Sequence, residues 1–268
     1  MKSMSVAGVM RKGSLAIVLC ISLLLSVWAA VASSRETFGI SNNGFRMYFP
    51  TVMGPPRVIV LSKIMRVSVA SDGTQANGHS YNPSISADGR FMAFESDASN
   101  LVPDDRNYYR DVFVHDRLTG QTTRVSKTAN PSVYELDSKN PSISADGRFI
   151  AFESYSVGLV PQDTDSFRDV FLYDRLTGEL SLVSVPSDDL PIVSGDEPSI
   201  SGDGRYVVFS TSWDGVYIRD RQTNQTSMLP QSPDGMPPNA GSRNPVISEN
   251  GHIVAFESLA TNLAPGDP

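Results

Sequence analysis

The stretch NPSISADGRFMAFES at 82–96 decides the fold, because the chain repeats it. It returns as NPSISADGRFIAFES at 140–154, as EPSISGDGRYVVFST at 197–211 and as NPVISENGHIVAFES at 244–258. Self-similarity at a nearly fixed interval is typical of a repeat architecture, in which each copy is one supersecondary unit.

A second block follows the first three copies of the repeat. It reads DVFVHDRLTGQTTRVS at 111–126, DVFLYDRLTGELSLVS at 169–184 and, more loosely, DGVYIRDRQTNQTSML at 214–229. Each unit is predicted to hold four short strands, which in the first unit are Pro83–Ser86, Phe91–Glu95, Val112–His115 and Thr122–Ser126. Asp88-Gly89 between the first two strands predicts a tight type I′ turn.

The strands are apolar at nearly successive positions, as in DVFVHD, so both faces of each sheet are predicted to be buried. Small sheets packed face to face in a ring bury both faces of each sheet. A β-helix would have shorter repeats, and an immunoglobulin-like array would have longer units. The sequence therefore predicts an all-β fold, a β-propeller of four-stranded antiparallel blades.

The ends of the array predict an incomplete ring. Met65–Ser68 aligns with Thr123–Ser126, so the chain is expected to enter on a fourth strand. It stops at Pro268, inside the loop between strands two and three of the fourth repeat. We expect about three and a half blades here, from an intact form of about six or seven.

The N-terminal region predicts export. Lys2, Arg11 and Lys12 precede an apolar run from Leu15 to Ala32, and Ala30-Val31-Ala32 offers cleavage before Ser33. We assign residues 1–32 to a signal peptide, with an uncleaved N-terminal anchor as the alternative because the run approaches membrane-spanning length. Residues 33–62 read as a linker, and residues 63–268 as propeller repeats truncated at the C-terminus.

Composition excludes several function classes. Of the 268 residues 40% are hydrophobic and 19% are charged, which argues against disorder. A net charge of −7 without a basic cluster argues against nucleic-acid binding. The single cysteine, Cys20, lies in the signal segment, so no disulfide is expected. The expected location is secreted, periplasmic or in the cell envelope, with no membrane span besides an uncleaved N-terminal segment.

The repeats resemble those of TolB-like β-propellers. In that family the pattern Pro-Ser-x-Ser-x-Asp-Gly-Arg-x-hydrophobic-x-Phe is followed by a block of Asp, three hydrophobic residues, any residue and a second Asp. Pro83–Phe94, Pro141–Phe152 and Pro198–Phe209 match closely. The copy at Pro245–Phe256 departs, with Asn250 before its glycine and His252 for the arginine.

Catalysis has no motif support. The chain has no Gly-x-Ser-x-Gly elbow, and its histidines are scattered at His79, His115 and His252. Acidic and basic residues recur at fixed repeat positions, where we expect inter-blade or turn-locking hydrogen bonds; they are Glu95, Glu153, Glu257, Arg90, Arg148 and Arg205. The sequence therefore assigns no catalytic and no cofactor-binding residue, and predicts that the protein is not an enzyme.

Closely spaced Asp and Asn residues fill the loops between strands two and three. Residues 100–107 lead to Asp111, residues 158–165 lead to Asp169, and 262–267 begin the same pattern. Such oxygens suit Ca²⁺. The spacing lacks the full Asp-x-Asp-x-Asp-Gly loop and its distal Glu. We interpret these residues as solvated turn caps and assign no metal ligand, with Ca²⁺ as the alternative.

The resemblance implies a function in binding, since TolB-like propellers dock other envelope proteins. The sequence predicts a non-catalytic protein-interaction scaffold, although fold alone does not fix function. One alternative is the propeller portion of a truncated prolyl-oligopeptidase-like serine peptidase. Another is a carbohydrate- or cell-wall-binding propeller that uses aromatic residues of the loops between strands two and three: Tyr108, Tyr109, Phe167 and Trp213.

Overall fold

Four small antiparallel sheets contain the strands of the part of the chain that the structure describes. A computed structural model describes residues 16–17, 64–128, 135–185, 194–211, 215–229 and 235–264. No helix occurs among these residues, so none of them forms a helix that could cross a membrane.

Three of the sheets are four-stranded blades with strands in sequential order. A two-residue strand, β1 (Ala16–Ile17), precedes them. Blade 1 contains β2 (Ser80–Ile85), β3 (Phe91–Ser96), β4 (Asp111–Asp116) and β5 (Thr122–Arg124). Blade 2 contains β6 (Ser138–Ile143), β7 (Phe149–Ser154), β8 (Asp169–Asp174) and β9 (Glu179–Leu182). Blade 3 contains β10 (Asp196–Ile200), β11 (Tyr206–Thr211), β12 (Gly215–Asp220) and β13 (Gln225–Leu229).

A fourth sheet is built from β14 (Ser242–Ile247) and β15 (Val254–Ser258), with β1 on the outer side of β15. Ala16 pairs with Ser258 and Ile17 with Glu257. The predicted all-β fold of four-stranded antiparallel blades is confirmed, with three such blades and this additional sheet among the described residues.

The first strand of each blade starts earlier than predicted. β2 begins at Ser80 instead of Pro83. A bulge between Tyr81 and Ser84 accommodates Pro83, which has no N–H to donate, so the strand pairing continues on both sides of it. Asn82, inside this bulge, has a φ of 47°, a left-handed conformation that asparagine tolerates better than most residues.

The predicted type I′ turn is wrong. A type I′ turn needs positive φ at two central residues, but here Gly89 has a φ of 70° and Asp88 does not have a positive φ. The Gly89 N–H donates to the Ser86 carbonyl at 2.8 Å instead. The Asp88 carboxylate accepts hydrogen bonds from Ser86 Oγ at 2.6 Å and from the Arg90 N–H at 2.9 Å, and these bonds stabilise the longer loop.

The hydrophobic core lies between blades, as the nearly continuous apolar strands predicted. One cluster joins Phe91 and Val112 of blade 1 to Ile150 and Phe152 of blade 2. A second cluster joins blade 2 to blade 3 around Phe209. All six residues of β7 are buried, because blade 2 is covered on both faces.

Consecutive blades are also joined along their first strands. The N–H groups of Ile143, Ile200 and Ile247 donate to hydroxyl groups of the preceding blade at 3.1, 3.1 and 3.2 Å, the acceptors being Ser84, Ser142 and Ser199. The first strands therefore lie side by side, as they do around the axis of a propeller.

The entry strand that we predicted at Met65–Ser68 is not formed. Val69 makes one isolated bridge to Gln75, and a fourth strand needs a third strand beside it, which this segment does not have among the described residues. The segment still lies where the end of a preceding blade would lie. The Thr122 hydroxyl of blade 1 donates to the Val69 carbonyl, just as the Thr226 hydroxyl of blade 3 donates to the Val185 carbonyl, which follows the last strand of blade 2.

The predicted linker at 33–62 lies outside the described residues, and so do residues 265–268. Of the signal segment 1–32 only Ala16–Ile17 is described, so cleavage before Ser33 stays a prediction.

Candidate functional site

A cavity of about 430 Å³ opens at the axis between the first strands of the four sheets. Each sheet contributes one three-residue step, namely Asn82–Ser84, Asn140–Ser142, Glu197–Ser199 and Asn244–Val246. The first residue of every step has a φ between 47° and 51°. The repeat thus turns its backbone at the same point in each blade, and the cavity wall is built from the bulges.

The recurring glutamates fasten each blade to the next. Glu95 is 1% exposed; its Oε2 accepts a hydrogen bond from the Asn140 N–H of blade 2 at 2.7 Å, and its Oε1 pairs with Arg110 at 2.9 Å. Glu153 does the same with the Glu197 N–H at 2.7 Å and Arg168 at 3.1 Å. The predicted inter-blade hydrogen bonds are confirmed for Glu95 and Glu153, whereas Glu257 pairs with Arg243 of its own sheet at 3.2 Å.

Glu197 was missed by sequence reasoning. It stands where the three other copies have asparagine, and its Oε2 accepts a hydrogen bond from the Asn244 N–H of the fourth sheet at 2.8 Å. Its glutamate side chain therefore fastens the next sheet even though its backbone, with a φ of 51°, is unfavourable for that residue type.

The recurring arginines fasten strands within a blade. Arg90 holds Asp116 through two bonds, Nε to Oδ1 at 2.9 Å and Nη2 to Oδ2 at 2.8 Å. The same pair recurs as Arg148–Asp174 and Arg205–Asp220. In each pair the guanidinium holds the pKa of the carboxyl below its usual range.

The end of the blades formed by residues 97–110 and 155–168, together with the starts of β2 and β6, is called the loop face below. Its exposed aromatic side chains include Tyr108, which is 96% exposed, and Phe167, which is 52% exposed. Tyr81, Tyr109 and Tyr155 are exposed at the same end. Among the described residues, the exposed large hydrophobic side chains at the opposite end are aliphatic, such as Leu118 and Leu176. Trp213 lies outside the described residues.

Arginines pack over two of these rings. The Arg110 guanidinium lies 4.4 Å from the centre of the Tyr81 ring, and that of Arg168 lies 5.3 Å from the centre of the Tyr155 ring. Because the same arginines pair with Glu95 and Glu153, the rings are held by the inter-blade contacts.

In blade 1 the carboxylates of the loop between strands two and three surround the side chain of Arg124. Arg124 is 6% exposed, and its Nη1 lies 3.1 Å from Asp111 Oδ2 and 3.8 Å from Asp105 Oδ1, while its Nη2 lies 3.1 Å from Glu135. Burial raises the pKa of Asp105 to about 6 and also raises that of Asp111, and Arg124 opposes both shifts.

In blade 2 the position equivalent to Arg124 is occupied by Leu182. Asp163, Asp165 and Asp169 each offer a carboxylate oxygen, and these oxygens lie within 4.8 Å of one another. Burial raises the pKa of Asp169 to about 7, and the negative charges of Asp165 and Asp163 act in the same direction. The hydrogen bond from Ser184 opposes this shift.

The interpretation of these loops as solvated caps is partly wrong. Asp105, Asp111, Asp163 and Asp169 are buried under the loops that carry them, while Asp165 is exposed. Capping itself does occur, since Asp163 accepts the Gly158 N–H and Asp165 the Phe167 N–H, both at 2.8 Å. Sequence reasoning missed Arg124, although its replacement by Leu182 at the same repeat position was a visible signal.

The histidines do not come together. His115 is buried in β4, where its Nδ1 lies 2.9 Å from Thr122 Oγ1, and burial lowers its pKa. The Thr122 hydroxyl donates to the Val69 carbonyl, so Nδ1 is the donor to Thr122. His79 packs near Tyr81, with ring centres 6.1 Å apart, and His252 lies in the fourth sheet's turn.

The chain is similar to TolB propellers. The TolB structure from Acinetobacter baumannii is 19% identical over 69% of this chain and 44% of that one, with a TM-score of 0.40. A TolB structure from Agrobacterium tumefaciens is 17% identical over 67% of this chain and 54% of that one, with a TM-score of 0.45. The chain thus spans about half the length of these structures.

Peptidases are also among the similar structures. The acylaminoacyl peptidase of Pyrococcus horikoshii is 14% identical over 56% of this chain and 24% of that one, with a TM-score of 0.35. No protein-family model matches the chain, and a search of curated proteins finds no match either.

Proposed function

We propose that this protein is an exported, non-catalytic propeller that binds a protein partner through its loop face. The observation that carries the proposal is the placement of the exposed aromatic side chains, all of which lie at that end of the blades among the described residues. Tyrosine and phenylalanine offer large contact areas at a low cost in side-chain entropy, and they are enriched at protein interfaces.

The loop face is also pre-organised in part. Arg110 and Arg168 hold Tyr81 and Tyr155 while they pair with buried glutamates. A side chain that is already fixed loses less freedom on binding, so more of the contact energy contributes to affinity.

The binding role is tested by a double substitution in the loop face. Tyr108→Ala with Tyr109→Ala should abolish capture of a partner from a cell-envelope extract by the immobilised chain. The matched control is Leu118→Ala with Leu176→Ala, which removes exposed side chains at the opposite end. Equal loss in both variants, or no loss in the tyrosine variant, contradicts the proposal.

A polymer ligand is the second candidate, because Tyr108 is almost fully exposed and an aromatic ring can stack on a sugar. Co-sedimentation with purified cell-wall polymer separates the two candidates. Sedimentation that depends on Tyr108 and Tyr109 favours the polymer, and a chain that stays in the supernatant removes this candidate.

The non-catalytic part of the proposal is supported by the engagement of the recurring charged residues with one another, in Glu95–Arg110 and Arg90–Asp116 and their equivalents. A fluorophosphonate probe that labels active serine hydrolases tests it. We expect no labelling of the folded chain above that of the heat-denatured chain. Specific labelling supports the peptidase alternative instead.

Export is tested independently of binding. We expect the protein recovered from outside the cytoplasm to begin at Ser33, as measured by N-terminal sequencing. A cytoplasmic protein that keeps residues 1–32 contradicts export, and an envelope-bound protein that keeps them supports the anchor.

A further inference from the structure

We propose that Asp163, Asp165 and Asp169 in blade 2 bind a Ca²⁺ ion, which takes the place that the Arg124 guanidinium holds in blade 1. The inference comes from comparing two copies of one repeat within the same chain. It does not depend on the proposed binding function.

The two loops are equivalent residue by residue. Asp105, Asn107 and Asp111 of blade 1 occupy the repeat positions of Asp163, Asp165 and Asp169 of blade 2. The strand register fixes the opposing residue as well, because Phe113 pairs with Arg124 in blade 1 and Phe171 pairs with Leu182 in blade 2.

Blade 1 carries its own cation. Arg124 places one positive charge between the buried carboxylates of Asp105 and Asp111 and reaches Glu135 with its other terminal nitrogen. Buried carboxylates of this kind need a compensating charge, because an isolated ion is costly in a medium of low polarity.

Blade 2 has lost this cation and gained an acid. Leu182 cannot donate a hydrogen bond or neutralise a charge, and it packs against the core between blades 1 and 2. Asp165 adds a carboxylate where blade 1 has the neutral Asn107. Three carboxylates therefore converge in blade 2 beside a leucine, whereas the carboxylates of Asp105, Asp111 and Glu135 in blade 1 surround a guanidinium.

One atom of this cluster points independently to a ligand. Asp163 is 5% exposed, and its Oδ1 is buried without a hydrogen-bond partner among the residues that the structure describes, while its Oδ2 accepts the Gly158 N–H at 2.8 Å. An unpaired buried carboxylate oxygen is costly, so it is expected to have a partner in the working protein.

The chemistry and spacing of the cluster suit Ca²⁺. This ion takes six to eight oxygen ligands at 2.3–2.6 Å, so two ligands on opposite sides are about 5 Å apart. The three carboxylate oxygens lie within 4.8 Å of one another. Ser184 Oγ holds Asp169, and the Phe167 N–H holds Asp165, so the ligands are fixed by the chain. Asp165 is exposed, which leaves a side open for water ligands.

The test is isothermal titration of the EDTA-stripped full chain with CaCl₂, followed by thermal unfolding with and without the ion. We expect saturable binding and a higher Tm with Ca²⁺, and a smaller effect from Mg²⁺, which requires shorter bonds and a stricter geometry. A wild-type chain with no response to Ca²⁺ beyond that of NaCl at equal ionic strength overturns the proposal.

Two variants locate the site. Asp165→Asn should weaken Ca²⁺ binding by more than about tenfold, since it removes one charged ligand. Asp104→Asn is the matched control, because it removes one exposed charge from the blade 1 loop, and its affinity should equal that of the wild type. Equal affinities for all three chains overturn the proposal.

Leu182→Arg is the sharper variant, because it gives blade 2 the built-in cation of blade 1. This chain should lose its response to Ca²⁺ and keep in the absence of the ion a Tm at or above that of the stripped wild type. Unchanged Ca²⁺ binding by a folded Leu182→Arg chain contradicts the assigned place of the ion. Should Leu182→Arg fail to fold, the comparison of Asp165→Asn with Asp104→Asn decides.

Discussion

Single glycines set how closely the blades approach one another. Gly147 lies in the turn of blade 2 with a φ of 70°, and a Cβ there would meet the Phe91 ring of blade 1 at 2.2 Å. Gly204 repeats the contact against Phe149 at 2.3 Å. The turn glycine therefore has two separate functions, a left-handed backbone and a blade-to-blade contact.

These two functions can be separated by substitution. Gly120 has a φ of 77° and nothing within 4 Å of its added Cβ, so Gly120→Ala should cost only the left-handed strain of about 1–2 kcal/mol. Gly147→Ala should lose about 1–3 kcal/mol more, because the methyl group overpacks Phe91. Urea unfolding of both variants measures the difference, and equal losses would show that the blades can move apart without cost.

The glutamate of the second strand provides another matched pair. Glu95 is buried and holds both Arg110 and the Asn140 N–H, whereas Glu257 pairs at 3.2 Å with an exposed Arg243. Glu95→Ala should reduce the free energy of unfolding by about 3–5 kcal/mol, since it leaves buried donors without a partner. Glu257→Ala should cost less than about 1 kcal/mol. Similar losses in chemical denaturation would contradict the assignment of Glu95 as an inter-blade contact.

At the scale of elements, each blade is closed by an arginine–aspartate pair between the start of its second strand and the end of its third. Asp116, Asp174 and Asp220 have pKa values below the usual range because of Arg90, Arg148 and Arg205. A carboxyl with a lower pKa in the folded state stabilises the fold fully above its unfolded pKa of about 3.9. That contribution is lost as the pH falls below about 4.

Because the pKa values of these carboxyls are lowered by folding, the stability of the protein should depend on pH in the acidic range. The wild-type free energy of unfolding should fall as the pH is lowered from about 4 towards 2. The triple variant Arg90→Met, Arg148→Met and Arg205→Met should show a shallower fall over that window. Arg106→Met, an exposed arginine in the loop face, is the control and should keep the wild-type slope. Identical slopes for all three proteins would contradict the role of the pairs.

At the scale of the whole molecule, blade 2 is central because both inter-blade clusters include it. β7 is buried at every position, whereas four of the five residues of β15 are only partly buried. In repeat proteins stability is close to a sum over units and their interfaces. Native-state hydrogen exchange should therefore show the strongest protection in β7 and β8 and weaker protection in β15. Equal protection would mean that the array unfolds as one unit.

The sequence predicted the fold well because the fold is periodic. Three Asp-Gly copies and one Asn-Gly copy of the repeat located the strands. Errors arose where a local contact changed the backbone, as at the Asn82 bulge and in the Asp88 loop. The inter-blade role of Glu95 was predicted from its recurrence. The burial of Asp169 and the charge of Arg124 beside Asp111 were not, because spacing along the chain does not report depth below a surface.

The register of the second and third strands has a further consequence. Phe91 pairs with Asp116 in blade 1 and Tyr206 with Asp220 in blade 3, although residues 97–110 join the first pair of strands and only residues 212–214 join the second. The blade thus tolerates connections of very different length between the same two strands. For a protein engineer this end of the molecule is a display site, into which foreign peptides can be inserted while the sheet that carries them keeps its pairing.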